Sequence, residues 1–315
     1  MASIITVTLN PTIDKLTSAP VLIPERKIRC SEPLFEPGGG GVNVARAIKK
    51  LGGNALAIYL AGGHTGHFFN QLLRNENVET LVTETRSYTR ENLIVMETAS
   101  DQQYRFGMPG PHILESEWQD CLNKIEMQRN VDYIVASGSL PPGVPTDIYG
   151  RIAWIARKKK ARLIVDTSGE ALRQAVHEGI YLVKPNLGEL SYLAGKTELQ
   201  IESVDDVAME IIDAGKCEVI VVSMGQTGAM LVTKDFVLQI VPPPVKRKST
   251  VGAGDSMVAG MVMSLDAGKP LLDAVQYGVA CGTAATMNSG TQLCRKNDVE
   301  QLYKLIQEKS PLPVL

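Results

Sequence analysis

Short apolar runs recur along the chain, most of them followed by a longer stretch with helical spacing. Ser3 to Leu9 reads as a β-branched strand. The pattern then predicts helices at 42–51, 65–75 and 114–128 and strands at 55–60 and 78–82. From 132 onward the rhythm is regular: strands at 132–136, 162–166, 181–183 and 219–223, helices at 146–160, 169–178, 187–194 and 204–214. A hairpin at 228–240 and helices at 254–266, 271–287 and 297–308 close the chain. Such alternation predicts an α/β fold, a mainly parallel central sheet with helices on both faces. Two segments break it. Residues 16–36 alternate loosely (Lys27-Ile28-Arg29-Cys30-Ser31), and short strands fall at 92–97 and 103–106. They predict a small β-sheet lid built from 13–36 and 86–108, over a core of 1–12, 37–85 and 109–315.

Composition narrows the class. Charged residues are 21% and the net charge is −2, so nothing draws the chain toward nucleic acid or a membrane surface. No apolar run approaches the ~20 residues of a membrane helix, and the N-terminus lacks a basic start followed by a long apolar core. Cys30, Cys121, Cys217, Cys281 and Cys294 are scattered with no CxxC pair, which fits reduced thiols and predicts a cytoplasmic protein.

The chemistry concentrates at Ser249-Thr250-Val251-Gly252-Ala253-Gly254-Asp255-Ser256, a glycine turn opening a small-residue helix. Uncovered amides and the positive end of the helix dipole make that turn an anion site, and Asp255 places a carboxylate beside it. The pair suits phosphoryl transfer, with an Asp of ordinary pKa (~4) as a weak, orienting base. An acid in a first helical turn also suits the dipole alone. Two nucleotide motifs are absent. A dinucleotide fingerprint needs a glycine where Met257 stands, which disfavours a nicotinamide oxidoreductase; a P-loop ending in Gly195-Lys196-Thr197 needs one where Leu190 stands. In parallel sheets ligands bind beyond the carboxyl ends of the strands, and here those ends carry Asp14, Ser137-Gly138-Ser139, Asp166-Thr167-Ser168, Lys184-Pro185-Asn186 and Ser223-Met224-Gly225. Helix capping explains some of these, though not Lys184 or the glycines. The run Gly38 to Gly41 is either a second anion nest or a hinge. Asp14 suits two sugar hydroxyls, and Arg90 and Arg105 suit a phosphate. Asn186 and Glu189 either organise water around magnesium or simply cap a helix. His64 and His67 lack a third metal ligand.

Taken together, Asn10-Pro11-Thr12-Ile13-Asp14, Phe35-Glu36-Pro37-Gly38-Gly39-Gly40-Gly41-Val42-Asn43-Val44-Ala45-Arg46, Tyr104-Arg105-Phe106, Lys184-Pro185-Asn186, Pro242-Pro243-Pro244-Val245-Lys246 and Val251-Gly252-Ala253-Gly254-Asp255 resemble the PfkB (ribokinase-like) sugar kinases, and within them the 6-phosphofructokinase branch. The resemblance spans essentially the whole chain. It implies a ribokinase-like fold and ATP-dependent phosphorylation of the 1-hydroxyl of fructose 6-phosphate. Asp255 would be the base and Gly252, Ala253 and Gly254 the anion hole. Asp14, Gly39, Gly40 and Asn43 would hold the sugar, with Arg90, Arg105 and Ser139 near its phosphate. Lys184, Asn186, Ser223, Gly225, Gly228 and Ser249 would line the ATP site. Asn186 and Glu189 would organise Mg²⁺ through water, and carbonyls of Ser249, Val251, Ala285, Asn288 and Gly290 would hold K⁺. A homodimer through the lid is implied as well. Ser249 and Met257 depart from the family's usual acid and aromatic. Gly40 stands where relatives acting on fructose 1-phosphate or tagatose 6-phosphate carry lysine, which favours fructose 6-phosphate. Those two kinase activities, and a non-catalytic sugar-phosphate sensor, are the alternative readings.

Overall fold

The structure, a computed structural model, describes residues 3–309. Residues 1–2 and 310–315, assigned above to the core, lie outside the described residues. The first half comprises β1 (Ile4–Thr8), β2 (Thr12–Ala19), β3 (Leu34–Gly38), α1 (Gly40–Leu51), β4 (Leu56–Gly62), α2 (Gly63–Asn75), β5 (Glu79–Thr85), β6 (Arg90–Glu97), β7 (Gln102–Phe106) and α3 (Glu115–Met127). The second comprises β8 (Tyr133–Ser137), α4 (Ile148–Lys159), β9 (Arg162–Asp166), α5 (Gly169–His177), β10 (Ile180–Val183), α6 (Leu187–Leu193), α7 (Val204–Asp213), β11 (Cys217–Ser223), β12 (Ala229–Thr233), β13 (Val237–Ile240), α8 (Ala253–Asp266), α9 (Leu271–Thr286) and α10 (Lys296–Lys309).

Nine strands form the main sheet in the order β13-β12-β11-β10-β9-β8-β1-β4-β5. From β11 to β5 all neighbours are parallel, and the β12–β13 hairpin adds an antiparallel edge. Because side chains alternate across a strand, the unbroken apolar runs feed two cores. Ile4, Tyr133, Ile164, Leu182 and Val219 face one core with α1, α8, α9 and α10. Ile5, Ile134, Leu163, Val183 and Ile220 face the other with α3, α4, α5 and α7. The chain winds outward in both directions from β1, which lies between β8 and β4. That reversal opens a crevice at the carboxyl ends of the strands, where ligands of such sheets bind.

The second sheet has the order β3-β2-β6-β7, its central pair parallel and both flanks antiparallel. One expectation for it needs correction. Sheet structure does not continue through 20–33: β2 ends at Ala19 and the chain is irregular until Leu34. Pro20 and Pro24 remove ladder donors there, and Glu25 adopts a positive φ of 60°. The loop is tied to the sheet by side chains and by isolated backbone bonds such as Ser31 N to the Ser18 carbonyl at 2.9 Å. Glu97 accepts from the Leu22 amide at 2.7 Å, and Thr17 Oγ1 donates to the Ser31 carbonyl at 2.9 Å.

Candidate active site

The crevice is centred on the start of α8. Gly252 precedes the helix with φ 72°, a left-handed turn that favours glycine. The Ser256 amide bonds back to the Gly252 carbonyl at 2.9 Å, whereas the amides of Gly254 and Asp255 have no backbone acceptor among the described residues. These amides and the helix dipole converge on one point. The Asp255 carboxylate stands beside it, accepting from Asn43 Nδ2 at 2.9 Å. Behind the turn, the buried Lys184 ammonium pairs with Asp166 at 3.2 Å.

This setting changes the chemistry of Asp255. Burial, then the nearby Asp166 charge, push its pKa up to about 7, against smaller opposing pulls from Asn43, Lys184 and Arg46. The expectation of an ordinary aspartate near pKa ~4 is therefore corrected, and the group is poised as a proton acceptor near neutral pH. Burial depresses Lys184, but Asp166, Glu189 and Asp255 outweigh it and keep the ammonium charged.

On one side of Asp255 lie the lid and the first strand end. Asp14, at the start of β2, is 7% exposed; burial raises its pKa while the Asn92 amide at 3.0 Å, Arg90 and Arg46 oppose the rise. The run Gly38 to Gly41 is closely packed where side chains would be. A Cβ at Gly40 would sit 2.2 Å from Ser137 Oγ and 2.7 Å from the Gly138 nitrogen, and one at Gly41 would sit 2.4 Å from the Val7 carbonyl oxygen. The glycines let α1 dock against the ends of β1 and β8, and Thr8 Oγ1 already accepts from the Val42 amide at 2.7 Å. Arg90 donates to the carbonyls of Asn10, Met108 and Pro11 at 3.0, 2.9 and 3.4 Å, so much of its fork braces the hinge between core and lid. Ser139 is exposed and accepts from Asn10 Nδ2 at 3.0 Å. Arg105 reaches from β7 across the crevice to Thr250 Oγ1 at 3.4 Å.

On the other side a cavity of about 560 Å³ takes in Ser223, Gly225, Gly228, Ala253 and Gly254 from the predicted set. Gln226, Pro242 to Val245, Arg247, Gly282 and Thr283 are part of its wall. A larger groove of about 960 Å³ lies at the amino ends of β9, β10 and β11, the wrong end for this chemistry, and contains none of the predicted residues. Asn186 and Glu189 do form a reciprocal capping box: Asn186 Oδ1 accepts from the Glu189 amide at 2.9 Å, and Glu189 Oε2 accepts from the Asn186 amide at 2.8 Å. Each keeps lone pairs to spare, a donor set that fits water-mediated contact with nucleotide-bound Mg²⁺ better than direct ligation. Among the described residues no cluster of three or more His, Cys, Asp or Glu could hold a metal by itself.

The segments 249–251 and 285–290 are laced together. Ser249 N donates to the Thr286 carbonyl at 3.3 Å, and Ser249 Oγ donates to the Gly290 carbonyl at 2.7 Å while accepting from the Val251 amide at 3.2 Å. Of the five backbone carbonyls expected to hold K⁺, that of Gly290 already accepts from Ser249 Oγ and that of Ala285 from the Asn288 amide at 3.1 Å. The Ser249 hydroxyl occupies the place of the usual acid and spends itself on this lacing.

A model of the pfkB family of carbohydrate kinases matches residues 7–298. The chain belongs to that family. It is 47% identical over 304 residues to the ATP-dependent 6-phosphofructokinase isozyme 2 of Escherichia coli (strain K12), covering 96% of this chain and 98% of that protein. Two solved structures of phosphofructokinase-2 from Escherichia coli superpose along almost the entire chain. The complex with potassium has a TM-score of 0.93 at 46% identity, and the complex with fructose-6-phosphate has 0.91 at 45%. Each covers 98% of this chain and 100% of the other.

In this kinase Asn43 and Asp255 are in direct contact and Ser223, Gly225, Gly228, Ala253 and Gly254 line one cavity, whereas Lys184, Asn186 and Ser249 are not among its lining residues. Several residues beside them were given no role by the sequence. Asp166 is legible only as a strand-end polar residue, Asn92 sits in a lid strand, and Arg46 and Gln226 sit close to glycine-rich turns. Arg46, 2% exposed on a mostly apolar helix face, is the one that a burial pattern could have flagged.

Proposed function

We propose that this kinase transfers the γ-phosphoryl group of ATP to the 1-hydroxyl of fructose 6-phosphate, giving fructose 1,6-bisphosphate and ADP. One observation carries the reading: Asp255 lies beside two unpaired amides, between a nucleotide-sized cavity and the lid-covered face that holds Asp14. Identity of 47% to an ATP-dependent 6-phosphofructokinase supports the substrate assignment.

The triphosphate lies along Lys184 and the 252–254 turn, with its base in the cavity walled by Ser223, Gly225, Gly228 and the prolines. Asp14 and Asn43 orient the ketose so that its 1-hydroxyl faces the γ-phosphorus. Arg105 reaches the sugar phosphate from the lid, and Ser139 and the spare N–H groups of Arg90 meet it from below. Asp255 accepts the hydroxyl proton as the new O–P bond forms and the bond to the ADP oxygen breaks. In a loose transition state that proton leaves late, so orientation counts for more than basicity. The amides of Gly254 and Asp255 meet the charge gathering on the transferring oxygens. Mg²⁺ bound with the nucleotide through water on Asn186 and Glu189, and K⁺ on the 249–251 and 285–290 carbonyls, would add positive charge to that environment.

The segments 13–36 and 86–108 act as one lid that excludes water from the transfer. Its exposed apolar residues, Val21, Ile23, Leu34 and Phe106, and its open edges at β3 and β7 suit pairing with a second copy of the chain. Free thiols and the use of ATP suit a cytoplasmic location. Among the described residues no helix is long and apolar enough to cross a membrane.

Gly40 bears on the alternatives. A side chain there would drive into Ser137 and Gly138, so a lysine at this position, as in kinases of fructose 1-phosphate or tagatose 6-phosphate, requires a backbone shift. A panel of phosphorylated ketohexoses assayed by ADP release tests the assignment. Fructose 6-phosphate should show the highest kcat/KM. A preference for fructose 1-phosphate or tagatose 6-phosphate overturns the substrate, and no turnover with any sugar would leave a sensor.

A further inference from the structure

Arg46 is almost completely buried on α1, and nothing in the transfer chemistry above uses it. Burying a guanidinium is costly unless its N–H groups find acceptors. Here they do. Nε and Nη2 form a two-pronged pair with Glu76, just past α2, at 2.9 and 2.6 Å. Nη1 donates to the Pro37 carbonyl at 2.6 Å and to Asn43 Oδ1 at 3.2 Å. The first three bonds anchor the residue; the fourth bears on the site. An arginine N–H can only donate, so the Asn43 amide must turn its oxygen toward Arg46 and its nitrogen away. That nitrogen is the one donating to Asp255 Oδ2. Rotated the other way, the amide would set one acceptor against another.

We propose that Arg46 is a positioning residue for phosphoryl transfer, fixing which end of the Asn43 amide faces Asp255. The inference rests on Asp255 being the proton acceptor. The groups facing Asp255 are Asn43 and Arg46 from α1, Asp166 from the end of β9 and Lys184 from beyond β10. Burial and Asp166 oppose its ionisation, while Asn43, Lys184 and Arg46 favour it. Arg46 therefore acts both by its own field and through the amide it orients. Glu76 is the counter-charge that damps that field.

The experiment is the pH dependence of kcat/KM for the wild type, Arg46→Lys and Glu76→Gln, with unfolding midpoints measured in parallel. Lysine lacks the fork and frees the amide to rotate, so the acid limb of Arg46→Lys should move up by roughly half a pH unit or more. Its kcat at alkaline pH should fall about ten-fold through lost orientation. Glu76→Gln keeps the guanidinium on Asn43 but removes the counter-charge, so its limb should move the opposite way, to lower pH. A purely packing role predicts lowered midpoints for both variants with the limb unmoved, and that result overturns the proposal. Should Arg46→Lys fail to fold, Glu76→Gln settles the matter: a downward limb supports the proposal, and a fixed or upward one overturns it. Asp255→Asn, run alongside, separates the two possible failures. If it retains turnover, the base assignment is wrong and the role of Arg46 falls with it. If it is inactive while the limbs coincide, only the role of Arg46 falls.

Discussion

Two glycine-rich turns open helices on the same crevice, and they do different work. At 38–41 the missing side chains are filled by neighbouring protein: Ser137, Gly138 and the Val7 carbonyl lie where Cβ atoms would be, and Thr8 takes the Val42 amide. At 252–254 the Cβ position of Gly254 lies an ordinary 3.5 Å from Lys184 Nζ, and the amides of Gly254 and Asp255 are free. Glycine at 40 and 41 is required by contact between elements; at 254 it leaves room for a ligand. A glycine run thus marks close approach by something, and only the three-dimensional neighbours reveal whether that is protein or phosphate.

The difference can be broken most forcefully at the second turn. Asp255→Asn should lower kcat by about 10²- to 10⁴-fold with sugar and nucleotide KM nearly unchanged. Near-normal turnover in that variant would refute the base assignment. The pH profile comes next. The acceptor must be ionised and burial holds its pKa near 7, so activity is full above that pH and lost below it. From pH 8 to pH 5, kcat/KM should fall about a hundred-fold; a flat profile to pH 5 contradicts the raised value.

Exchanging each glycine for alanine contrasts the turns directly. Gly40→Ala should cost about 1–3 kcal/mol of stability through overpacking, read as a shift in the denaturant midpoint. Gly254→Ala should stay within about 0.5 kcal/mol of the wild type yet lose roughly ten-fold in kcat, because a methyl group crowds the phosphate. Equal stability losses at both positions would erase the distinction. The smallest effect is expected in the lid. Arg105→Lys should raise the KM for the sugar phosphate about three-fold, with the ATP KM unmoved, since lysine lacks the fork. A change confined to the ATP KM would take Arg105 away from the sugar phosphate.

Much of the architecture was readable from residue order, because fully buried parallel strands write uninterrupted apolar runs such as Tyr133–Ser137 and helices between them keep an amphipathic period. Strand ends were readable for the same reason: Lys184 and the glycines interrupt an apolar pattern. The irregular 20–33 loop was misread since alternation in a short charged stretch does not guarantee a partner strand. What one dimension hides is juxtaposition. The pKa of Asp255 depends on Asp166 and on burial by segments distant in the chain, so an isolated Asp in a glycine turn looked unperturbed. The linkage of Arg46 to Asn43 is only three residues long, yet its meaning appears only once Asp255 arrives from more than two hundred positions away.

The parallel register of β2 with β6, Thr12 opposite Arg90 and Ala19 opposite Glu97, has a consequence for assembly. Those strands flank α1, β4, α2 and β5, so pairing them directly from an open chain would require closing a long loop at a large entropic cost. Folding of the intervening unit onto β1 brings the two strand starts together first. The small sheet should accordingly form after the large one and open before it, with its amides losing protection from hydrogen exchange while those of β1 and β8 remain locked.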